Sequence, residues 1–102
     1  MEIKISGRHM DVTPAIREHA SQKLMKLLRF YDRIQQMDVI IDRVDHNQHA
    51  VEIIVDAEHA TPFLAHDTGP DLYVCIDETV RKLERQLSDH KDRLRNRKHI
   101  VS

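Results

Sequence analysis

Apolar and polar residues alternate from Ile3 to Gly7, and the spacing changes after Thr13-Pro14. Alternation sends successive side chains to opposite faces of a strand, so the first segment reads as β. Thr13 can cap a helix and Pro14 suits its first position, and Ile16, Ala20, Leu24, Leu27 and Tyr31 then recur at helical spacing. That stripe predicts a helix from about Pro14 to Phe30 with one buried face. Alternation returns in Met37, Val39 and Ile41, and again in Val51, Ile53, Val55 and Ala57, with Asp45-His46-Asn47-Gln48 between them. Two alternating runs around a polar turn predict a β-hairpin. Thr61 to Asp67 can supply one more strand, and Thr68-Gly69-Pro70 forms a turn leading into Asp71, a good helix cap. A long amphipathic helix follows, from about Asp71 to Asn96, with Leu72, Ile76, Val80, Leu83, Leu87 and Leu94 as its apolar stripe.

The order is therefore β-α-β-β-β-α, an α+β domain. Each helix has one apolar face and the sheet has one apolar face to receive them, which predicts a two-layer sandwich, a four-stranded sheet with both helices on one side. The other sheet face should carry Asp38, Asp42, Glu52, Asp56 and Glu58.

A chain of 102 residues fits a single domain with one core, taken here as 1–96, with 97–102 a frayed basic tail. Cys75 is the only cysteine, so no disulfide forms within the chain, and an unpaired thiol fits a reducing, cytoplasmic setting. Met1 to Ser6 lacks the basic-then-apolar pattern of a signal peptide, and no apolar run is long enough to span a membrane.

Charge changes the picture more than length does. From Arg81 onward eight basic residues face three acidic ones, a net of about +5, whereas the first eighty residues hold eight basic and fourteen acidic ones. The formal net charge of −1 is a cancellation between two halves of opposite sign. A concentrated positive field on one helix points to a polyanion, and RNA is the polyanion it suits. Lys and Arg near a helix end also complement the helix dipole in any protein, but that effect needs only one or two cations in the last turn.

Ile5-Ser6-Gly7-Arg8-His9-Met10, Val12-Thr13-Pro14-Ala15-Ile16-Arg17, Lys23-Leu24-Met25-Lys26-Leu27, Asp71-Leu72-Tyr73-Val74-Cys75-Ile76-Asp77 and Lys82-Leu83-Glu84-Arg85-Gln86-Leu87 with His90-Lys91 occur in this order. Together they resemble the ribosome hibernation promoting factor family, also called ribosome-associated inhibitors or sigma-factor modulation proteins. The resemblance implies a fold similar to double-stranded RNA-binding domains and a non-enzymatic role in stress or stationary phase. It further implies binding to the small ribosomal subunit and its ribosomal RNA, in the channel used by messenger RNA and by transfer RNA in the A and P sites. The chain resembles the short form, and its short tail leans towards the members that assist ribosome dimerisation rather than those that keep single ribosomes inactive. A generic structured-RNA-binding module acting off the ribosome is the alternative.

On a helical wheel His19, Lys23 and Lys26 share one flank of the first helix, and Lys82, Arg85, Gln86 and Arg93 share a flank of the last. The resemblance places basic contact positions at Lys23, Lys26, Lys82, Arg85 and Lys91, adds Arg8 after the first strand, and carries over Gln86 and His90 more weakly. Four aromatic residues, Phe30, Tyr31, Phe63 and Tyr73, leave little material for stacking bases, so recognition should run through backbone and shape. Tyr73 reads better as a packing residue than as an RNA contact. His46, His49, His59 and His66 lack a tight ligand motif, so scattered surface histidines are favoured over a metal site. Cys75 reads as a small buried residue. No catalytic set, cofactor or small-molecule substrate is expected, and the isolated protein is expected to be monomeric.

Overall fold

A computed structural model describes the backbone of residues 1–101 and the side chains of residues 1–95. Its elements are β1 (Glu2–Arg8), α1 (Pro14–Met25), a 3₁₀ turn (Lys26–Arg29), β2 (Ile34–Asp45), β3 (Gln48–Ala57), β4 (Phe63–Gly69) and α2 (Leu72–Val101). The sheet order is β1-β2-β3-β4, with β1 parallel to β2 and the other two pairings antiparallel. The expected α+β architecture is present, and β1 and β4 are its edges.

Both helix starts are fixed by the side chains that the sequence nominated. The Ile16 amide donates to Thr13 Oγ1 at 3.2 Å, and the Tyr73 and Val74 amides donate to Asp71 Oδ1 at 3.0 and 3.3 Å. These caps satisfy donors that have no partner within the first helical turn. Between β1 and α1 the chain folds back so tightly that a Cβ on Gly7 would lie 2.4 Å from the Met10 carbonyl oxygen, so only glycine fits there.

Several boundaries differ from the sequence reading: β3 already begins at Gln48, β4 spans Phe63–Gly69, and α2 continues to Val101 instead of ending near Asn96. The first helix ends at Met25 and tightens into the 3₁₀ turn, where the Phe30 and Tyr31 amides both donate to the Leu27 carbonyl. Such tightening is common where a helix hands the chain to the next element, and here it keeps both Leu27 and Tyr31 in the core. The second strand begins at Ile34, not Met37, because a register shift between Ile34 and Gln36 lets Ile34 and Met37 both face inward and so hides the strand from a simple alternation count. Glu58 lies in the turn after β3 instead of on the sheet.

The core lies between the sheet and the helices. Ile16, Ala20, Leu24, Leu27 and Tyr31 meet Met37, Val39, Ile41, Val51, Ile53 and Val55, and Leu72, Ile76, Val80, Leu83 and Leu87 close it from α2. Leu94 does not join them. It is 38 % exposed because α2 runs on past the sheet, and every side chain from Lys91 to Arg95 faces solvent. The expected frayed tail at 97–102 lies outside the described side chains.

Candidate RNA-binding surface

The side chains of the two cationic flanks read from the helical wheel are held in different ways. On α1, Lys23 Nζ lies 3.9 Å from Asp77 Oδ1 of α2, and the His19 ring donates to the same oxygen at 2.8 Å. The edge of the His19 ring meets Tyr73 with centroids 4.9 Å apart. Asp77 thus joins the helices and offsets part of the positive charge at this flank. Lys26 opens the 3₁₀ turn, is exposed, and forms no ion pair with a described residue.

On α2, Lys82 reaches the outer edge of the sheet, donating to the His66 carbonyl at 2.7 Å and lying 3.4 Å from Asp67 Oδ1. Gln86, one turn later, donates to the Leu64 carbonyl at 2.9 Å. Arg85 stands between two shallow depressions, one shared with Leu64, His66, Lys82 and Gln86 and the other with Phe30, Arg81, Glu84 and Asp89. It is exposed and forms no ion pair with a described residue, and the same holds for Lys91 and Arg93 on the projecting part of α2. Cations presented in this way can meet phosphate without first breaking an internal ion pair.

Two proposed contacts are placed elsewhere. Arg8 ends β1 opposite Asp42, on the sheet face turned away from the helices, beside Ile40, Glu52 and His66. It does not share a surface with the helical cations. His90 is inserted between Tyr31 and Phe63, its ring edge-on to both at 5.2 and 5.3 Å between centroids. That is a packing environment, and the sequence could not show it because Phe63 reaches His90 only through the tertiary fold.

The open sheet face carries Asp38, Asp42, Glu52 and Asp56 as expected, but Lys4 and Arg8 lie opposite Asp38 and Asp42 in the register and offset part of their charge. His9, with φ 59°, bonds Asp42 at 2.9 Å. Among the described residues no three His, Cys, Asp or Glu side chains gather around a point that could hold a metal ion. His49 bonds instead to the Pro70 carbonyl at 3.2 Å. Cys75 is 1 % exposed, and burial, followed by the nearby Asp67 and Asp71 carboxylates, pushes its thiol pKa up, the reverse of what an activated nucleophile needs. Tyr73 packs on His19 while remaining 40 % exposed. Among the described residues no helix is long and apolar enough to cross a membrane.

Residues 3–95 match the family model described as sigma 54 modulation protein / S30EA ribosomal protein. The chain belongs to this family. It is 36 % identical over 98 residues to the ribosome hibernation promoting factor of Escherichia coli K12, an alignment covering 93 % of this chain and 98 % of that protein. It is 35 % identical over 91 residues to ribosome-associated factor Y of Haemophilus influenzae, covering 86 % and 80 %. Among solved structures, a ribosomal subunit interface protein from Coxiella burnetii superposes with a TM-score of 0.82 at 28 % identity, covering 90 % of this chain and 99 % of that one. The N-terminal domain of Thermus thermophilus Protein Y superposes with a TM-score of 0.75 at 29 % identity, covering 87 % and 94 %. These family members share the fold in which the two helices lie side by side, the arrangement that gathers the cationic flanks on one layer.

Proposed function

We propose that this chain is a ribosome hibernation factor. It binds the small ribosomal subunit in the messenger RNA and transfer RNA channel, at the A and P sites, and blocks translation reversibly under stress or in stationary phase. The observation that carries this reading is the set of exposed cations on α2, with Lys82, Arg85 and Arg93 on one flank and Lys91 on the projecting end, supplemented by Lys23 and Lys26 of the α1 side. Family membership supports the ribosome as the partner of these cations.

The mechanism is occupancy and not chemistry. Each Lys or Arg that neutralises a phosphate releases condensed counterions, so about six contacts would make affinity fall by several orders of magnitude over a modest rise in salt. With few exposed aromatics, the surface reads phosphate positions and RNA shape more than base identity. The acidic residues of the opposite sheet face lie away from the phosphates and favour one orientation of approach.

Co-sedimentation with separated small subunits, large subunits and naked duplex RNA across a salt series tests the proposal. Saturable binding selective for the small subunit and weakened by salt is expected. Equal affinity for every RNA would replace it with a generic RNA-binding module.

A further inference from the structure

β4 is an edge strand, and edge strands leave a row of backbone groups available for pairing with another chain. In an antiparallel pair the residues alternate, one exchanging both backbone hydrogen bonds with its neighbour and the next turning both groups away. Lys82 reaches the His66 carbonyl and Gln86 reaches the Leu64 carbonyl, so Leu64, His66 and, by the same alternation, Thr68 are the residues of β4 that face away from β3.

The spacing of this contact is specific. Residues four apart on a helix advance about 6 Å, and residues two apart on a strand advance about 6.7 Å. Lys82 and Gln86 therefore keep step with His66 and Leu64, with α2 running antiparallel to β4. One positively charged donor and one neutral amide cover two consecutive outward carbonyls. Pro62 and Pro70 flank the strand, which is only seven residues long.

We infer that the β4 edge is a self-pairing surface for a second copy of this chain, held closed in the monomer by Lys82 and Gln86. Pairing about a twofold axis at His66 sets Leu64 opposite the partner's Thr68 and His66 opposite the partner's His66, so every outward residue can exchange two backbone hydrogen bonds. The same pairing covers Leu64, an exposed apolar side chain at 51 %. Lys82 opposes it twice, by occupying the His66 carbonyl and by bringing its positive charge next to that of its symmetry mate.

Removing both donors with Lys82→Ala and Gln86→Ala tests this, with circular dichroism confirming the fold and sedimentation velocity read over a range of protein concentration. The double variant is expected to shift from monomer to dimer as concentration rises, while the wild-type chain remains monomeric over the same range. Adding His66→Pro, which removes an outward amide that β3 does not use, is expected to restore the monomer. A double variant that stays monomeric throughout overturns the inference. A dimer that persists with His66→Pro also overturns it, because that dimer would use another surface.

Discussion

The Asp77 carboxylate holds the His19 ring nitrogen at 2.8 Å across the gap between the two helices, with Lys23 3.9 Å from the same oxygen. One acidic side chain on α2 thus fixes two residues of α1, and it does so on the cationic layer, where its charge opposes the field that would attract RNA.

Asp77→Asn should therefore tighten binding to the small subunit. The amide oxygen can still accept from His19, so the link between helices is kept, while the positive charge of Lys23 is no longer offset. One added phosphate contact would steepen the logarithmic salt dependence by about 0.7 to 0.9. These side chains are about one-third exposed, so the stability change should stay within about 1 kcal/mol. Weaker binding at every salt concentration would show that Asp77 positions Lys23 for RNA instead of restraining it.

Arg85→Glu should separate binding from folding. The side chain is exposed and forms no ion pair with a described residue, so the thermal midpoint should move little, as for most surface substitutions. Loss of a charge-assisted contact is worth about 1.5 to 3 kcal/mol, so affinity for the small subunit should fall by at least about tenfold. Arg85→Lys keeps the charge but not the planar fork, and an intermediate loss would reveal bidentate phosphate contact. Undiminished co-sedimentation of Arg85→Glu would remove Arg85 from the binding surface.

Gly7→Ala should destabilise the fold without touching the cationic layer. The added methyl would meet the Met10 carbonyl oxygen at 2.4 Å and Val12 Cγ2 at 3.2 Å, and the first of these is backbone that cannot rotate away. Forcing a methyl into such a site costs about 1 to 3 kcal/mol. Urea unfolding should show a lower midpoint with an unchanged slope, and an unchanged midpoint would mean that the turn after β1 relaxes freely.

Cys75 should impose an alkaline loss of stability. Its thiol is raised above the ordinary range, first by burial and then by Asp67 and Asp71. Below that range both folded and unfolded chains keep the proton, and the contribution is whole. Above it the unfolded chain ionises first, so stability falls as pH rises until the folded thiol ionises too. Comparing the urea stability of wild type with that of Cys75→Ala from about pH 7 to about pH 10 isolates this part, since other groups titrate in both proteins. The wild type should lose more over that range, and parallel profiles would refute the burial argument.

The fold was legible wherever one physical signal acted alone. Thr13 and Asp71 cap as their side-chain chemistry dictates, and the stripes Ile16 to Tyr31 and Leu72 to Leu87 are buried as their spacing requires. Legibility failed where two signals competed. The bulge after Ile34 broke the alternation, and Leu94 kept the helical spacing beyond the point where any sheet remained to cover it. The cationic flanks were legible as charge on a helical wheel. Their internal partners were not, because the Lys82 contact with His66 and the Asp77 contact with His19 join residues far apart in sequence. Arg8 continues the alternation of β1 on the face opposite Ile3 and Ile5, because the strand runs on to it.

His90 offers the sharpest separation between a packing and a binding role. As a basic-capable residue between Gln86 and Lys91 it looked like part of the cationic line, yet its ring lies edge-on to Tyr31 and Phe63 at little more than 5 Å. Edge-to-face aromatic pairs contribute about 0.5 to 1.5 kcal/mol beyond the area they bury. His90→Ala should then lower stability by about that amount or somewhat more, while affinity for the small subunit changes less than for Arg85→Glu. His90→Phe keeps the two ring contacts and removes any possibility of positive charge, so it should restore stability and leave binding near the wild-type level. If His90→Phe instead weakens binding while remaining fully stable, the imidazole is an RNA contact as well as a packing residue.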